Sequence, residues 1–299
     1  MDRTTRPAVA FAVAAAGIGF FSLMDAAMKD LSIALGAYNA VLWRNMAGAT
    51  LAGALFIAGR NTWPSPSVMR IHAWRSVVVA VMAISFFWAL ARLPLAEAIG
   101  LSFIAPVIAL YLAAILLKET IGREAIIASV AGIAGVAVIL FGRFSGNYSD
   151  DALWGVVAVL FSAVVFAYNL ILARQQAQVA GPVEIAFFQS LLTAAVLAVA
   201  APWLLEPLPP TKLPMLLGAA SLAIISLLLL SWAYARAEAQ ILIPVEYTGF
   251  VWAALFGLIF FDESITVWTV AGTALIVAGS LVAARVKPSA VNQVEMASL

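Results

Sequence analysis

The sequence predicts an all-α integral membrane protein of ten transmembrane helices, arranged as two inverted five-helix repeats. Three observations carry that expectation. Of 299 residues, 65% are hydrophobic and only 10% are charged, with a mean hydropathy of +1.06. Soluble domains carry about 25% charged residues and need them to cover their surface. The apolar residues gather into ten runs, most of them close to the roughly 20 residues that cross about 30 Å of hydrocarbon. Finally, the pattern that starts at Leu116 returns at Phe260.

The first run, 8–28, follows the charged start "MDRTTRP" and resembles a signal peptide. It stays apolar to about Met28, long enough to span, and is expected to remain as a helix. The break "LGAYN" leads to 38–58, and "RNTWPSPS" separates that run from 73–91. "RLP" opens 95–117, and "KETIGR" precedes 124–141. After "FSGNYSDD" come 152–173, 183–203 behind "AGP", 214–234 behind "EPLPPTKLP", 239–261 behind "ARAE" and 265–284 behind "FDES". Gly, Pro, Asn, Asp and Ser are the residues that stop helices and turn the chain. The expected units are a first five-helix repeat at 1–146, a second at 147–287 and a C-terminal tail at 288–299.

Orientation follows from Lys and Arg, which favour the cytoplasmic side. Ten spans put both termini on one side, with Arg3, Arg6, Arg60, Arg70, Arg75, Lys118, Arg123, Arg174, Arg236, Arg285 and Lys287. The other side holds Lys29, Arg92, Arg143 and Lys212, and Arg44 lies within the membrane. Eleven against four places both ends in the cytoplasm. Trp63, Trp74, Trp154, Trp203 and Trp268 fall near span ends, where aromatic belts sit.

The two similar stretches are "LLKETIGREAIIASVAGIAGVAV" and "FFDESITVWTVAGTALIVAGSLV". A constant offset of 144 pairs Glu119 with Glu263, Thr120 with Ser264, Ile121 with Ile265 and Gly135 with Gly279. A unit of five helices is odd, so the second copy lies upside down. Inverted repeats of this kind suit a protein whose halves exchange roles around a midplane site.

The stretches "RLPLAEAIGLSFIAPVIALYLAAILLKETI" and "RAEAQILIPVEYTGFVWAALFGLIFFDESI" resemble the EamA family of the drug/metabolite transporter superfamily. Its members begin the fourth and ninth helices with small residues, carry a proline within them and end the apolar run in glutamate. Arg44 in "YNAVLWRNMAGA" matches the family's common second-helix arginine. The prolines do not superpose: Pro106 lies 13 residues before Glu119, and Pro244 lies 19 before Glu263. The resemblance implies an inner-membrane secondary transporter in a bacterial cell. It implies export of neutral or aromatic amino acids, or related small metabolites, by alternating access. A channel-like facilitator, or an exporter of a non-amino-acid metabolite or drug, is the alternative.

Several polar residues fall within the apolar runs, where a charge costs on the order of 3 kcal/mol at mid-bilayer. Glu246 heads a mostly small face through Gly249, Phe250 and Ala253. It is expected to line a central cavity, to meet a substrate ammonium or carry a proton, or else to be a buried acid bonded to neighbouring helices. Arg44 suits a scaffold pair with a buried acid or a snorkelling position better than it suits a substrate carboxylate. Asp25 and Lys29 are four apart, the spacing of an intrahelical ion pair or a gate. Glu97 opens its helix as a dipole partner. Pro106 and Pro244 either line the cavity or only kink their helices. Tyr168, Asn169, Gln189, Tyr247, Thr248 and Trp252, with Tyr111, Ser190, Ser226 and Trp232, are candidate pocket residues for a small amphipathic ligand. Gly132, Gly135, Gly272 and Gly279 suit close helix packing.

The chain has no cysteine and one histidine, His72, expected alone in a cytoplasmic loop. Disulfides, thiol nucleophiles, thiolate metal sites and a metal-holding histidine cluster are thereby excluded. A P-loop is missing, and a net charge of +1 gives no sign of a nucleic-acid partner. No cofactor is expected. The partners are a small-molecule substrate and the lipid bilayer, with proton coupling as the further option a buried carboxylate opens. A membrane-embedded enzyme or scaffold is disfavoured, because no catalytic cluster is present and the longest loop is about a dozen residues.

Overall fold

Proline and glycine set most of the helix boundaries. Ser65 caps the second helix, its hydroxyl accepting the Val68 N–H at 3.5 Å, with Pro66 at the helix start where a missing N–H costs nothing. Gly181 and Pro182 open a later helix, and Pro94 another. The protein is described by a computed structural model covering residues 7–117, 123–144, 150–234 and 245–284, and all regular structure among these residues is helical. The helices are α1 (Pro7–Ala58), α2 (Pro66–Leu90), α3 (Leu95–Ser102), α4 (Ala105–Leu117), α5 (Arg123–Phe144) and α6 (Asp150–Val179). They continue as α7 (Pro182–Ala198), α8 (Ala201–Leu204), α9 (Leu213–Tyr234), α10 (Thr248–Phe261) and α11 (Val267–Ala284), with a 3-10 turn at Pro210–Lys212 before α9.

Four stretches of the described residues are long and apolar enough to cross a membrane: Val9–Ala58, Pro66–Leu90, Asp150–Val179 and Pro210–Ala233. The first, inside α1, corresponds to two of the expected runs. α1 is bent at Gly36, whose backbone lies at φ 76° and ψ 150°, a region open almost only to glycine. The "LGAYN" break is therefore a single-residue bend, and helix resumes at once on its far side.

Other boundaries differ from expectation for identifiable reasons. α2 begins at Pro66 rather than near 73, because Ser65 and Pro66 supply a ready helix start. The expected 95–117 span is broken at Phe103 and Ile104 into α3 and α4. Pro106 then sits in the first turn of α4, where proline is tolerated, and does not kink a continuous helix. The 183–203 run stops at Ala198, and Pro202 starts the short α8. Of the 239–261 run, residues 239–244, Pro244 among them, lie outside the described residues, as do Glu119, Thr120 and Ile121.

α1 packs along α9 and α7, α2 along α6, and α5 along α11. Met24, Met28, Leu31, Leu42, Leu90, Leu101, Phe188 and Leu216 fill the centre and are almost fully buried. The outward faces keep Ile57, Ile115, Ile133, Val199 and Val267 exposed, the apolar rim that lipid requires. Lipid tails are as apolar as leucine, so helices associate through close packing and polar ties rather than through expulsion of water. Both devices are present. At the crossing of α5 and α11, a methyl group on Gly135 would meet the Gly272 carbonyl and Ile276, and one on Gly272 would meet the Gly135 carbonyl and Ile139. The contact is symmetrical about Gly135 and Gly272, not about the Gly135 and Gly279 that the 144-residue offset aligns.

Candidate functional site

One polar assembly ties three segments at one end of the helices. The Lys29 ammonium of α1 pairs with Glu263 Oε1 and donates to the Leu93 carbonyl at 2.5 Å. Glu263 Oε2 accepts the Leu95 N–H, at the start of α3, at 2.7 Å. The ammonium also lies 5.0 Å from the centre of the Phe261 ring. Glu263 can reach this position because Asp262 ends α10 in a left-handed conformation, φ 53°, and the Glu263 N–H turns back to the Gly257 carbonyl at 3.1 Å. Buried Glu97 of α3 adds a second negative field at Lys29. A cavity of about 290 Å³ opens beside this assembly, lined in part by Pro94, Glu97, Glu263, Thr266 and Thr269.

One helical turn earlier on α1 is Asp25. The ion pair that the four-residue spacing suggests between Asp25 and Lys29 is not formed, because Glu263 and the Leu93 carbonyl occupy the ammonium. Asp25 is 2% exposed, and its Oδ1 has no hydrogen-bond partner. Arg44 attracts it electrostatically, consistent with a scaffold arginine facing a buried acid. The guanidinium is held by Met24 Sδ at 3.5 Å and stands 5.7 Å from the centre of the Phe87 ring.

The second assembly lies at the other end of α2. His72 belongs to that helix and is fully buried, so it does not stand alone in a loop. Gln176 Nε2 of α6 donates to His72 Nδ1 at 2.5 Å, which leaves Nε2 to donate to Glu184 Oε1 of α7 at 3.1 Å. The ring stacks on Phe188 with centroids 5.2 Å apart. Arg75 donates to Gln176 Oε1, and to Asn169 Oδ1 at 3.0 Å. Trp74 Nε1 donates to the Tyr168 hydroxyl at 3.0 Å. Leu93 follows His72 by 21 residues, so about 30 Å of chain separates the two assemblies at 1.5 Å per helical residue, one hydrocarbon thickness.

The model of the EamA-like transporter family matches residues 7–141 and again 153–285. The chain belongs to the EamA-like transporter family. This transporter is 29% identical over 269 residues to the pseudopaline exporter CntI of Pseudomonas aeruginosa, covering 89% of this chain and 93% of the relative. It is 25% identical over 275 residues to an S-adenosylmethionine uptake transporter of Rickettsia bellii, covering 89% and 92%. An uncharacterized transporter of Helicobacter pylori is 29% identical over 215 residues, 71% of this chain and 72% of the relative. A solved crystal structure shares the fold at TM-score 0.61 and 19% identity, over 93% of this chain and 98% of its own.

Within the EamA fold, the candidate pocket residues divide into two groups. Tyr168, Asn169 and Gln189 face α2 and are largely engaged. The Asn169 carbonyl accepts from Arg75, and Gln189 Nε2 donates to Ser76 Oγ at 3.2 Å and Thr193 Oγ1 at 2.9 Å. Gln189 Oε1 and the Ser226 hydroxyl are buried without a partner. The second group lies at the start of α10. Tyr247 meets the Phe103 ring edge-on at 5.3 Å, Thr248 Oγ1 donates to the Val245 carbonyl at 2.6 Å, and Trp252 stacks on Phe256. Glu246 is exposed rather than enclosed. Sequence reasoning missed Lys29 with Glu263, and His72 with Glu184 and Gln176. Glu263 was visible only as a repeat marker, and nothing local links residues 234 positions apart.

Proposed function

We propose that this transporter moves amino acids or related small metabolites across the bacterial inner membrane by alternating access. Ten helices in two inverted five-helix halves would exchange roles, with both termini cytoplasmic. The observation that carries this reading is the family match to each half of the chain in turn, residues 7–141 and 153–285. The symmetrical Gly135 and Gly272 crossing supports it, since such a contact suits two halves related by a pseudo-twofold axis. The named cargo of one relative, S-adenosylmethionine, carries an amino-acid group, and this supports the substrate class. Glu246, Tyr247, Thr248, Trp252 and Pro106 form one wall of the proposed pathway, and Tyr168, Asn169, Gln189 and Arg44 the other. Glu246 is the residue we assign to substrate ammonium or proton.

The test is reconstitution in liposomes with a panel of labelled amino acids, with and without a pH gradient, for wild type and Glu246→Gln. Saturable, trans-stimulated uptake that the gradient drives and Glu246→Gln abolishes makes Glu246 a coupling residue. Saturable uptake indifferent to the gradient makes the protein a uniporter. Linear uptake without trans-stimulation identifies a facilitator and overturns alternating access. No movement of any panel member overturns the amino-acid assignment.

A further inference from the structure

The polar interior contains an asymmetry that a static scaffold does not explain. Lys29 is held from several sides: the Glu263 carboxylate and the Leu93 carbonyl at 2.5 Å accept from its ammonium, and the face of Phe261 and the field of Glu97 add to them. Four residues earlier on the same helix, Asp25 is 2% exposed and holds one oxygen with no hydrogen-bond partner. Arg44 is the cation facing that carboxylate from the second arm of α1, and Met24 and Phe87 hold its guanidinium. A buried carboxyl group with an oxygen that no donor reaches is costly. Such a group in a native structure calls for an explanation, and a second arrangement of the same molecule that satisfies it supplies one.

We propose that Lys29 is the movable tie of one gate of the transporter, moving between two acidic seats, Glu263 and Asp25. The inference rests on the alternating-access reading. In the state described, Lys29 holds the 262–266 turn and the start of α3 against α1, and this gate is closed. When the turn moves away, the ammonium crosses one helical turn and occupies the free oxygen of Asp25. No backbone movement of α1 is required, because 25 and 29 lie on the unbroken helix before Gly36. A long helical side chain leans toward the residue four positions earlier, and acid before base at this spacing is the favourable order. Glu263 is not stranded by the exchange: it keeps the Leu95 N–H, and the cavity of about 290 Å³ beside it gives water a way in. Each seat leaves a different acid short of a partner, the condition for a two-state element whose states lie close in energy.

The experiment uses the absence of native cysteines. Cysteines at Ile33 on α1 and Ser264 on the turn, both exposed, take spin labels. The distance between them is then measured by double electron–electron resonance in nanodiscs. Wild type is expected to show a short and a long population. Glu263→Gln and Lys29→Met shift the balance toward the long distance, and Asp25→Asn shifts it toward the short one, each by on the order of fivefold. Lys29→Arg, which can serve both seats, stays within about twofold of wild type. The exchanged pair Lys29→Glu with Glu263→Lys returns toward the short distance relative to Glu263→Gln. The opposite signs of Glu263→Gln and Asp25→Asn are the decisive readout, because general loosening would move both the same way. Two populations that all variants leave unchanged, or that both move in one direction, overturn the assignment of Lys29 while alternating access stands. A single wild-type distance indifferent to every substrate and to pH overturns alternating access, and this inference with it.

Discussion

Gly36 shows how much of the architecture one residue carries. It turns a 52-residue helix in the middle of its length, at a backbone conformation where a β-carbon is disfavoured. Space is not the constraint, since a methyl group placed there would meet nothing within 4 Å. The cost of Gly36→Ala is therefore conformational alone, about 1–3 kcal/mol. Thermal unfolding in detergent should show a clear fall in Tm with the fold retained at low temperature. An unchanged Tm would mean that the bend relaxes without penalty. Asp262, at φ 53°, has an analogous part at the end of α10, where short polar side chains tolerate the left-handed region. That one residue aims Glu263 back toward Lys29. The need for a break was legible in "LGAYN" and "FDES", because Gly, Asn, Asp and Ser mark turns. The direction of each turn, and thus the partner it presents, was not legible.

Among elements, the α5 and α11 crossing offers a paired comparison. A methyl group on Gly272 would stand 2.5 Å from the Gly135 carbonyl oxygen and 2.5 Å from Ile139, closer than packed atoms approach. Gly272→Ala should force the helices apart and lower stability by about 1–3 kcal/mol. Gly218, in α9, has nothing within 4 Å of the same added atom. There Gly→Ala should leave stability unchanged or raise it by up to about 1 kcal/mol through helix propensity. Equal shifts in Tm for the two variants would show that close approach is not what matters at the crossing. The small-residue stripes were legible in the sequence, and so were most helices, because both write themselves locally. The crossing register was not: the turn motif aligns Gly135 with Gly279, whereas the packed pair is Gly135 with Gly272. The His72 assembly escaped for a related reason. Its partners Gln176 and Glu184 lie 104 and 112 residues away, and a helix start seven residues earlier than expected moved His72 from a loop into the interior.

For the whole molecule, the two polar assemblies give the helices a polarity that can be tested without knowing the substrate. α2 carries His72 near its start and leads into Leu93 and Leu95 just past its end, about one hydrocarbon thickness apart by chain length. The turns at Thr62 and Thr211 are both exposed, and the ten-crossing reading places five crossings between them. Five is odd, so they must face opposite sides of the membrane. On that reading, the Lys and Arg bias would put Thr62 in the cytoplasm and Thr211 outside. Because the chain has no cysteine of its own, single Thr62→Cys and Thr211→Cys variants can be labelled in intact cells with a membrane-impermeant maleimide. Thr211→Cys should label at once, and Thr62→Cys only after permeabilisation. The reverse pattern would invert the orientation yet preserve the odd count. It would also move the Lys29 gate to the cytoplasmic face, leaving its two acidic seats unchanged. Labelling of both sites from the same side would require an even number of crossings between them. The two halves would then no longer be inverted copies, and the exchange of roles on which alternating access depends would lose its structural basis.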